Sequence, residues 1–493
     1  FQVPPGRRLV IDSSRGVDHS SFWTDERSIR QLSQWLSADE DASRTPDIAE
    51  NETDPEVELA QAARTTSVES IVESIRSLPT AARKKYEEAF GGVAESVAPT
   101  GKRPRAIVLP GIMGSHLEVD GRTVWMDVLR LSGGGLADLR YAPGGAIGSN
   151  GEFRSVHPAG LNRAYVPLIA RLANQWDVEL FPYDWRDDIF TSARRLAELI
   201  ARLRNEDPER GINLVAHSMG GLVSRAFIAD HPAEWAALSA LPDSGRLVML
   251  GTPNLGAYSI VLTLLGKELA LRGLAAIDRE HNTAELLKIV TGFPGVYQLL
   301  PYRGPDADDQ WERLYDASSW NGLSPVDQDL LDGAAESHRR LAAGDADPTR
   351  FAYVAGFGKS TPFRVDFDDD NGLRVGVFAE GDGRVPHVLG QIDGMATYYV
   401  DATHGGLVQD PTVLAVIDDL VRTGTTPVSD KVLDRPPPRR GAGEDEPIML
   451  DPSDIDRHPL SVGITRDIGG RPSTAAKQRV MDDAMSMLLG GEA

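Results

Sequence analysis

From Arg105 onward, apolar residues gather in short runs that alternate with segments of helical period. Arg105–Leu109, Val178–Phe181, Ile212–Ala216, Arg246–Leu250, Tyr353–Gly358, Leu373–Phe378 and Met395–Val400 each read as a short strand. Between them, Ser192–Leu203 places Leu196, Leu199, Ile200 and Leu203 on one helical face. Gly221–Ile228 and Pro411–Val421 also read as helices. Strands that alternate with helices predict an α/β fold around a mostly parallel sheet, with helices on both faces. The alternation stops between Gly256 and Thr349, where helices and irregular loops take over. There Tyr258–Gly266 carries no charged side chain, and Phe293–Pro301 is apolar and bounded by prolines. A second irregular stretch, Arg130–Gly160, is rich in glycine.

The ends of the chain follow other rules. Residues 1–100 are expected to form an N-terminal helical appendage: Glu40–Glu56 is an acidic linker, and Ser67–Phe90 has helical period. Residues 101–425 are expected to form the α/β domain, with a helical cap insertion over about 257–349. Residues 426–493 read as a Pro- and Asp-rich linker followed by a C-terminal helix, Ala475–Leu489.

Composition narrows the chemistry. The 493 residues include no cysteine, which rules out a thiol nucleophile, a Cys-based zinc site and any disulfide. A cysteine-free chain with no visible signal peptide leads to an expectation of cytoplasmic residence. A net charge of −22 argues against nucleic acid as a partner and against general capture by anionic membranes. The longest apolar stretches, such as Tyr258–Leu265, fall far short of the roughly 20 residues that span a bilayer.

The candidate chemistry centres on Ala216-His217-Ser218-Met219-Gly220, placed between a buried strand and an amphipathic helix. A serine on such a strand–turn–helix junction is exposed at the top of the sheet, and small neighbours make the turn feasible. A serine hydroxyl is a weak nucleophile until a base takes its proton and an acid orients that base. Of the histidines after Ser218, His404 alone stands in a loop at the end of a strand and before a helix, in Asp401-Ala402-Thr403-His404-Gly405-Gly406. The acid is best assigned to Asp382, flanked by Gly381 and Gly383, with Glu380 and Asp401 as competitors. An oxyanion hole needs two fixed N–H groups. One falls to Met219 and the other to the loop Pro110–Ser115, at Ile112 first and Met113 second. Trp185, between Asp184 and Arg186, has two readings: a core filler beside a local ion pair, or a wall of the substrate site.

Taken in order, these segments resemble the lecithin:cholesterol acyltransferase family, including its lysosomal phospholipase A2 branch and bacterial relatives. The resemblance rests on Pro110–Glu118, Val124-Trp125, Pro182-Tyr183-Asp184-Trp185-Arg186, Ala216–Gly221, Gly251–Gly256, Gly381–Pro386 and Thr403-His404-Gly405, and spans roughly Arg105 to Thr425. It implies an α/β-hydrolase fold, with Ser218 as nucleophile, Asp382 as acid, His404 as base, and Ile112 and Met219 at the oxyanion hole. It further implies a lipid ester as substrate and no metal. Met113, Trp125 and Trp185 are expected near the substrate, and a lipid-surface element is expected around Trp125, Leu129 and Leu131. The chain departs from the family at Ala216, where glycine is usual, and at Arg384, where threonine is frequent.

The resulting expectation is a serine hydrolase acting on lipid esters, of phospholipase A or lipase type, with acyl transfer to an alcohol as a variant outcome. It would need no cofactor. Transient contact with a membrane surface, and with a protein partner through the terminal helices, are further expectations. The competing expectation is an interaction module that keeps the fold without turnover.

Overall fold

The computed structural model describes residues 100–125, 127–148, 150–302, 309–344, 347–368, 372–437 and 448–451. The expected helices over Ser67–Phe90 and Ala475–Leu489, and the acidic linker, lie outside the described residues. In chain order the strands are β1 (Arg105–Leu109), β2 (Ser115–Val119), β3 (Arg122–Trp125), β4 (Tyr141–Ala142), β5 (Gly145–Ile147), β6 (Phe153–Leu161) and β7 (Asp177–Leu180). They continue with β8 (Ile212–His217), β9 (Leu247–Leu250), β10 (Phe351–Gly356), β11 (Thr361–Asp368), β12 (Gly372–Phe378), β13 (Ala396–Val400) and β14 (Ile448–Leu450).

Six strands form the central sheet in the order β13-β10-β9-β8-β1-β7, every pair parallel. Parallel strands are covered on both faces, so their residues are apolar in both phases of the pleat. In β1, Ile107 and Leu109 enter one core while Ala106 and Val108 enter the other. β9 divides in the same way: Leu247 and Met249 face one side, Val248 and Leu250 the opposite side. One face is covered by helix α1 (Val166–Leu172) and helix α4 (Pro411–Thr423), through Leu168, Ile169, Val413, Ile417 and Leu420. The other face is covered by α2 (Ile189–Glu206) and α3 (Met219–Asp230), through Leu196, Ile200, Leu222 and Phe227. Caps set the helix ends. Asp188 accepts from the N–H groups of Phe190 and Thr191, Asp410 accepts from those of Thr412 and Val413, and Gly424 ends α4 at φ +77°. This is the α/β-hydrolase arrangement expected from the sequence.

Two smaller sheets flank it. β3-β2-β6-β5-β4 form an antiparallel sheet across the segment read as irregular, and β11-β12-β14 form another. The first is hidden in the sequence because β4 and β5 span only two and three residues and β6 contains Pro158 and Gly160. Residues read as a linker after 425 are partly integrated. Leu433 exchanges backbone hydrogen bonds with Tyr399 at 2.8 and 3.0 Å, and Ile448–Leu450 pairs with β12. Between β9 and β10 the chain forms the helices Ser259–Leu264, Leu269–Ile277, Thr283–Val290, Pro294–Tyr297, Asp309–Leu314 and Gln328–Ala343. Among the described residues no helix is long and apolar enough to cross a membrane.

Candidate active site

The carboxyl ends of β1, β8 and β13 open on one edge of the sheet, the edge at which α/β folds assemble sites. Ser218 leaves β8 there at φ +52° and ψ −125°, a conformation that costs a non-glycine residue about 1–3 kcal/mol. The surroundings hold it. Its N–H donates to the Leu250 carbonyl at 2.9 Å, and its own carbonyl accepts from Gly221 at 3.0 Å. A Cβ on Gly220 would lie 2.6 Å from the Pro110 carbonyl oxygen, so α3 can approach β1 this closely only with glycine there.

His404 Nε2 stands 2.9 Å from Ser218 Oγ, and His404 Nδ1 stands 2.8 Å from Asp382 Oδ2. Asp382 comes from the loop after β12, outside the central sheet. The β11–β12 hairpin returns the chain to the end of β10, where a Cβ on Gly356 would lie 2.6 Å from Asp382 Cβ. The carboxylate also accepts from the N–H groups of Arg384 at 2.9 Å and Val385 at 2.8 Å, and its backbone carbonyl accepts from His404 N–H at 2.8 Å. Burial pushes the Asp382 pKa up. The charge and hydrogen bond of the His404 ring, with the two N–H donors, outweigh that push and leave it below its ordinary value. An ionised carboxylate only accepts, so the proton between the pair sits on His404 Nδ1 and Nε2 is free to accept from Ser218.

The competing acids lie elsewhere. Asp401 is exposed and paired with Lys359 Nζ at 3.0 Å. Glu380 is half-buried, and its carbonyl accepts from His387 N–H.

The turn after β1 runs beside Ser218: a Cβ on Gly111 would sit 2.8 Å from Ser218 Cβ. Gly114 N–H closes the turn on the Gly111 carbonyl at 3.0 Å, with Met113 at φ +63° where such a turn favours glycine. The Ile112 and Met113 N–H groups find no protein acceptor among the described residues. Met219 N–H, at the first position of α3, points past the helix start and has no intrahelical partner. Met219 itself is fully buried and lies under Gly295 of the insertion.

The aromatic residues expected near substrate are interior. Trp125 and Trp185 are 1% and 3% exposed and meet edge-to-face at 5.1 Å. Trp125 Nε1 donates to the Met113 carbonyl at 2.8 Å, and Trp185 Nε1 to the Ser115 carbonyl at 3.3 Å. An indole finds an N–H partner when it is buried, and these two brace the turn after β1 from behind. Leu131 is also buried, so neither Trp125 nor Leu131 offers the expected lipid-facing surface. Asp184 and Arg186 form a buried ion pair at 2.6 Å, and the guanidinium also donates to the carbonyls of Leu139 and Gly145.

Sequence reasoning passed over two residues beside the site. His217, adjacent to Ser218, and Tyr165, at the start of α1, are buried and hydrogen-bonded to each other at 2.8 Å. A polar ring ending an apolar strand was the available signal for His217; nothing in the sequence marks Tyr165. Among the described residues no cluster of three His, Asp or Glu side chains is arranged to hold a metal ion.

Residues 149–253, which include the elbow, match the family described as the T6SS Tle3 phospholipase effector domain. No curated protein matches the sequence. Among solved structures, mature Bacillus licheniformis lipase BlEst2 is 14% identical, with 67% of this chain and 96% of that chain covered at a TM-score of 0.33. The Tle4-Tli4 complex is 18% identical, with 80% and 90% covered at 0.33. Phospholipase PlaB from Legionella pneumophila is 12% identical, with 63% and 58% covered at 0.31. Scores this low carry no functional weight.

Proposed function

We propose that this chain is a serine hydrolase that cleaves carboxylic esters of lipids, of the phospholipase A type. The carrying observation is the unbroken series Ser218 Oγ, His404 Nε2, His404 Nδ1, Asp382 Oδ2, with hydrogen-bond contacts of 2.9 and 2.8 Å around a strained serine. The phospholipase family match across the elbow supports the lipid class.

In this reading His404 Nε2 takes the proton of Ser218 as Oγ attacks the ester carbonyl carbon. The carbonyl π electrons move onto oxygen, and the N–H groups of Ile112 and Met219 hold the oxyanion. Asp382 stabilises the imidazolium and keeps its orientation. The tetrahedral adduct collapses, and the leaving alcohol departs with the proton from His404. Water, deprotonated by His404, then attacks the acyl-Ser218 carbonyl. Release of the fatty acid returns the proton to Ser218. An alcohol in place of water would give acyl transfer, the outcome that the resemblance to the acyltransferase family supports. The helices between β9 and β10 serve as the cap, excluding water from the acyl group. Residence in the cytoplasm is the reading that a cysteine-free chain supports; the matched family's description as an effector supports export instead.

The test is a purified protein incubated with phosphatidylcholine and phosphatidylglycerol vesicles, with released fatty acid and lysolipid measured by mass spectrometry. Ser218→Ala is expected to abolish release and fluorophosphonate labelling, by a factor on the order of 10⁶ in turnover. Near-wild-type release by the alanine variant removes Ser218 from its role. Release of phosphorylated headgroup instead of fatty acid removes the carboxylic ester as the bond cleaved.

A further inference from the structure

Besides the side chains that do the chemistry, the site contains a second series of polar groups, all buried. His217 is the last residue of β8, 7% exposed, with the core of the sheet on both sides. An imidazole in such a place is costly unless both nitrogens are satisfied, and here both are. Nδ1 lies 2.8 Å from Tyr165 Oη, and Nε2 lies 3.0 Å from the backbone carbonyl oxygen of His404. Tyr165 Oη in turn lies 2.7 Å from the N–H of Gly111.

With His217 neutral, only one arrangement of protons satisfies these contacts. The His404 carbonyl can only accept, so His217 Nε2 carries the proton. Nδ1 is then an acceptor, and Tyr165 Oη–H donates to it. The lone pair left on Oη accepts from Gly111 N–H. The series therefore runs in one direction: Gly111 N–H to Tyr165 Oη–H to His217 Nδ1, then His217 Nε2–H to the carbonyl of His404.

Its two ends are parts of the site that come from distant stretches of chain. Gly111 opens the turn that carries Ile112 and passes within van der Waals reach of Ser218. His404 carries the base, and its ring lies tilted against the His217 ring at 5.0 Å between centroids. Tyr165 Oη is wedged under the turn, where a Cβ on Gly114 would come within 2.9 Å of it. Burial pushes the His217 pKa down to about 3 and pushes the Tyr165 hydroxyl up, so both stay neutral across the working range and the direction of the series does not change with pH.

We propose that Tyr165 and His217 are positioning residues that lock the oxyanion turn and the base loop into one register about Ser218. This inference rests on the serine-hydrolase reading and deepens it. Neither residue touches substrate; both act through Gly111 and His404. Shifting a reacting group by about 1 Å costs about a hundredfold in rate, so a loosened turn should appear in turnover and leave substrate capture intact.

Two conservative substitutions each interrupt the series. Tyr165→Phe keeps the ring but removes the hydroxyl. His217→Asn keeps an acceptor near the Nδ1 position and removes the donor to His404. With 4-nitrophenyl butyrate as substrate, each variant, folded by circular dichroism, is expected to lose about ten- to a hundredfold in kcat with KM within about twofold. The fluorophosphonate labelling rate should fall in step. Because the two residues act as one unit, the double variant should be no more than about twofold slower than the slower single. A wild-type kcat in either folded single variant overturns the proposal, as does a rise in KM alone or a fully multiplicative double variant. If one single variant does not fold, the other decides. Ser218→Ala, run alongside, separates the two levels. Turnover in that variant overturns both readings, whereas an inert Ser218→Ala beside a fully active Tyr165→Phe overturns only the positioning role.

Discussion

Asp382 and His217 are both buried beside His404, one an ionised carboxylate and the other a neutral imidazole, and each is stabilised differently. Asp382 keeps its charge because three donors converge on its carboxylate, and its pKa lies below the ordinary carboxylate value. Its stabilising contribution is present above the unfolded value of about 3.9 and is lost as pH falls through its folded value. His217 gives up its charge. Burial first, and the neighbouring His404 second, push it from 6.5 to about 3. Between those values the unfolded chain binds a proton that the folded chain does not, so stability falls as pH drops from about 6.5 towards 3. His338, pushed to about 4 by burial, adds to the same limb. Urea unfolding of the wild type should show a midpoint that declines from pH 7 to pH 4, with a shallower decline in His217→Asn. Equal slopes would mean that His217 is charged in the fold. For turnover, Asp382→Asn is expected to lose about 10⁴-fold because the amide favours the wrong tautomer of His404, whereas Glu380→Gln should change kcat less than about tenfold. The reverse ranking in an esterase assay would move the acid to Glu380. At this scale the sequence was informative wherever a motif carried a backbone constraint, as in the turn between Ala216 and Gly220 at Ser218 and the glycine-flanked turn at Asp382. Tyr165 is 52 positions from its partner His217, and no local pattern joins them.

At the scale of elements, the parallel strands were legible because burial on both faces leaves a continuous apolar run, as in Leu247–Leu250. The antiparallel sheet was not. Its short strands lack alternation, and it is joined to the domain by polar groups that the sequence presents only as scattered residues. Arg186 makes that joint. From the loop after β7 it reaches the carbonyls of Leu139 and Gly145 while paired with Asp184, and it is completely buried. Arg186→Met fills much of the same space but leaves a buried carboxylate without its cationic partner and two carbonyls without their guanidinium donor. The expected loss is about 3–5 kcal/mol, measured by urea unfolding. A loss below about 1 kcal/mol would mean that water replaces the guanidinium. The insertion between β9 and β10 docks on the same loop, with Gly295 N–H donating to the Arg186 carbonyl at 2.9 Å. It also touches the acid loop, where Arg384 pairs with Glu268. The pattern break at Gly256 precedes the helices between β9 and β10; their docking contacts depend on long-range geometry that no local pattern encodes.

For the whole molecule, the fold class followed from the order of strands and helices, while the sheet order β13-β10-β9-β8-β1-β7 depends on crossovers that residue patterns do not show. The candidate chemistry uses only Ser, His, Asp and backbone N–H groups. Activity is therefore expected to be unchanged by EDTA and by reducing agents in the vesicle assay. Loss on chelation, restored by calcium or zinc, would reveal a bound ion. The sheet order also has a consequence for synthesis. β1 lies between β7 and β8, and β10 between β9 and β13, so early strands wait for later ones before either edge is complete. Ser218 and His404 are separated by 186 positions, so His404 emerges from the ribosome long after Ser218. Domains generally fold as units once their segments have emerged. In the proposed reading, a nascent chain that has not yet delivered the His404 loop after β13 lacks the base for Ser218, so ester cleavage would begin only once most of the domain has been translated.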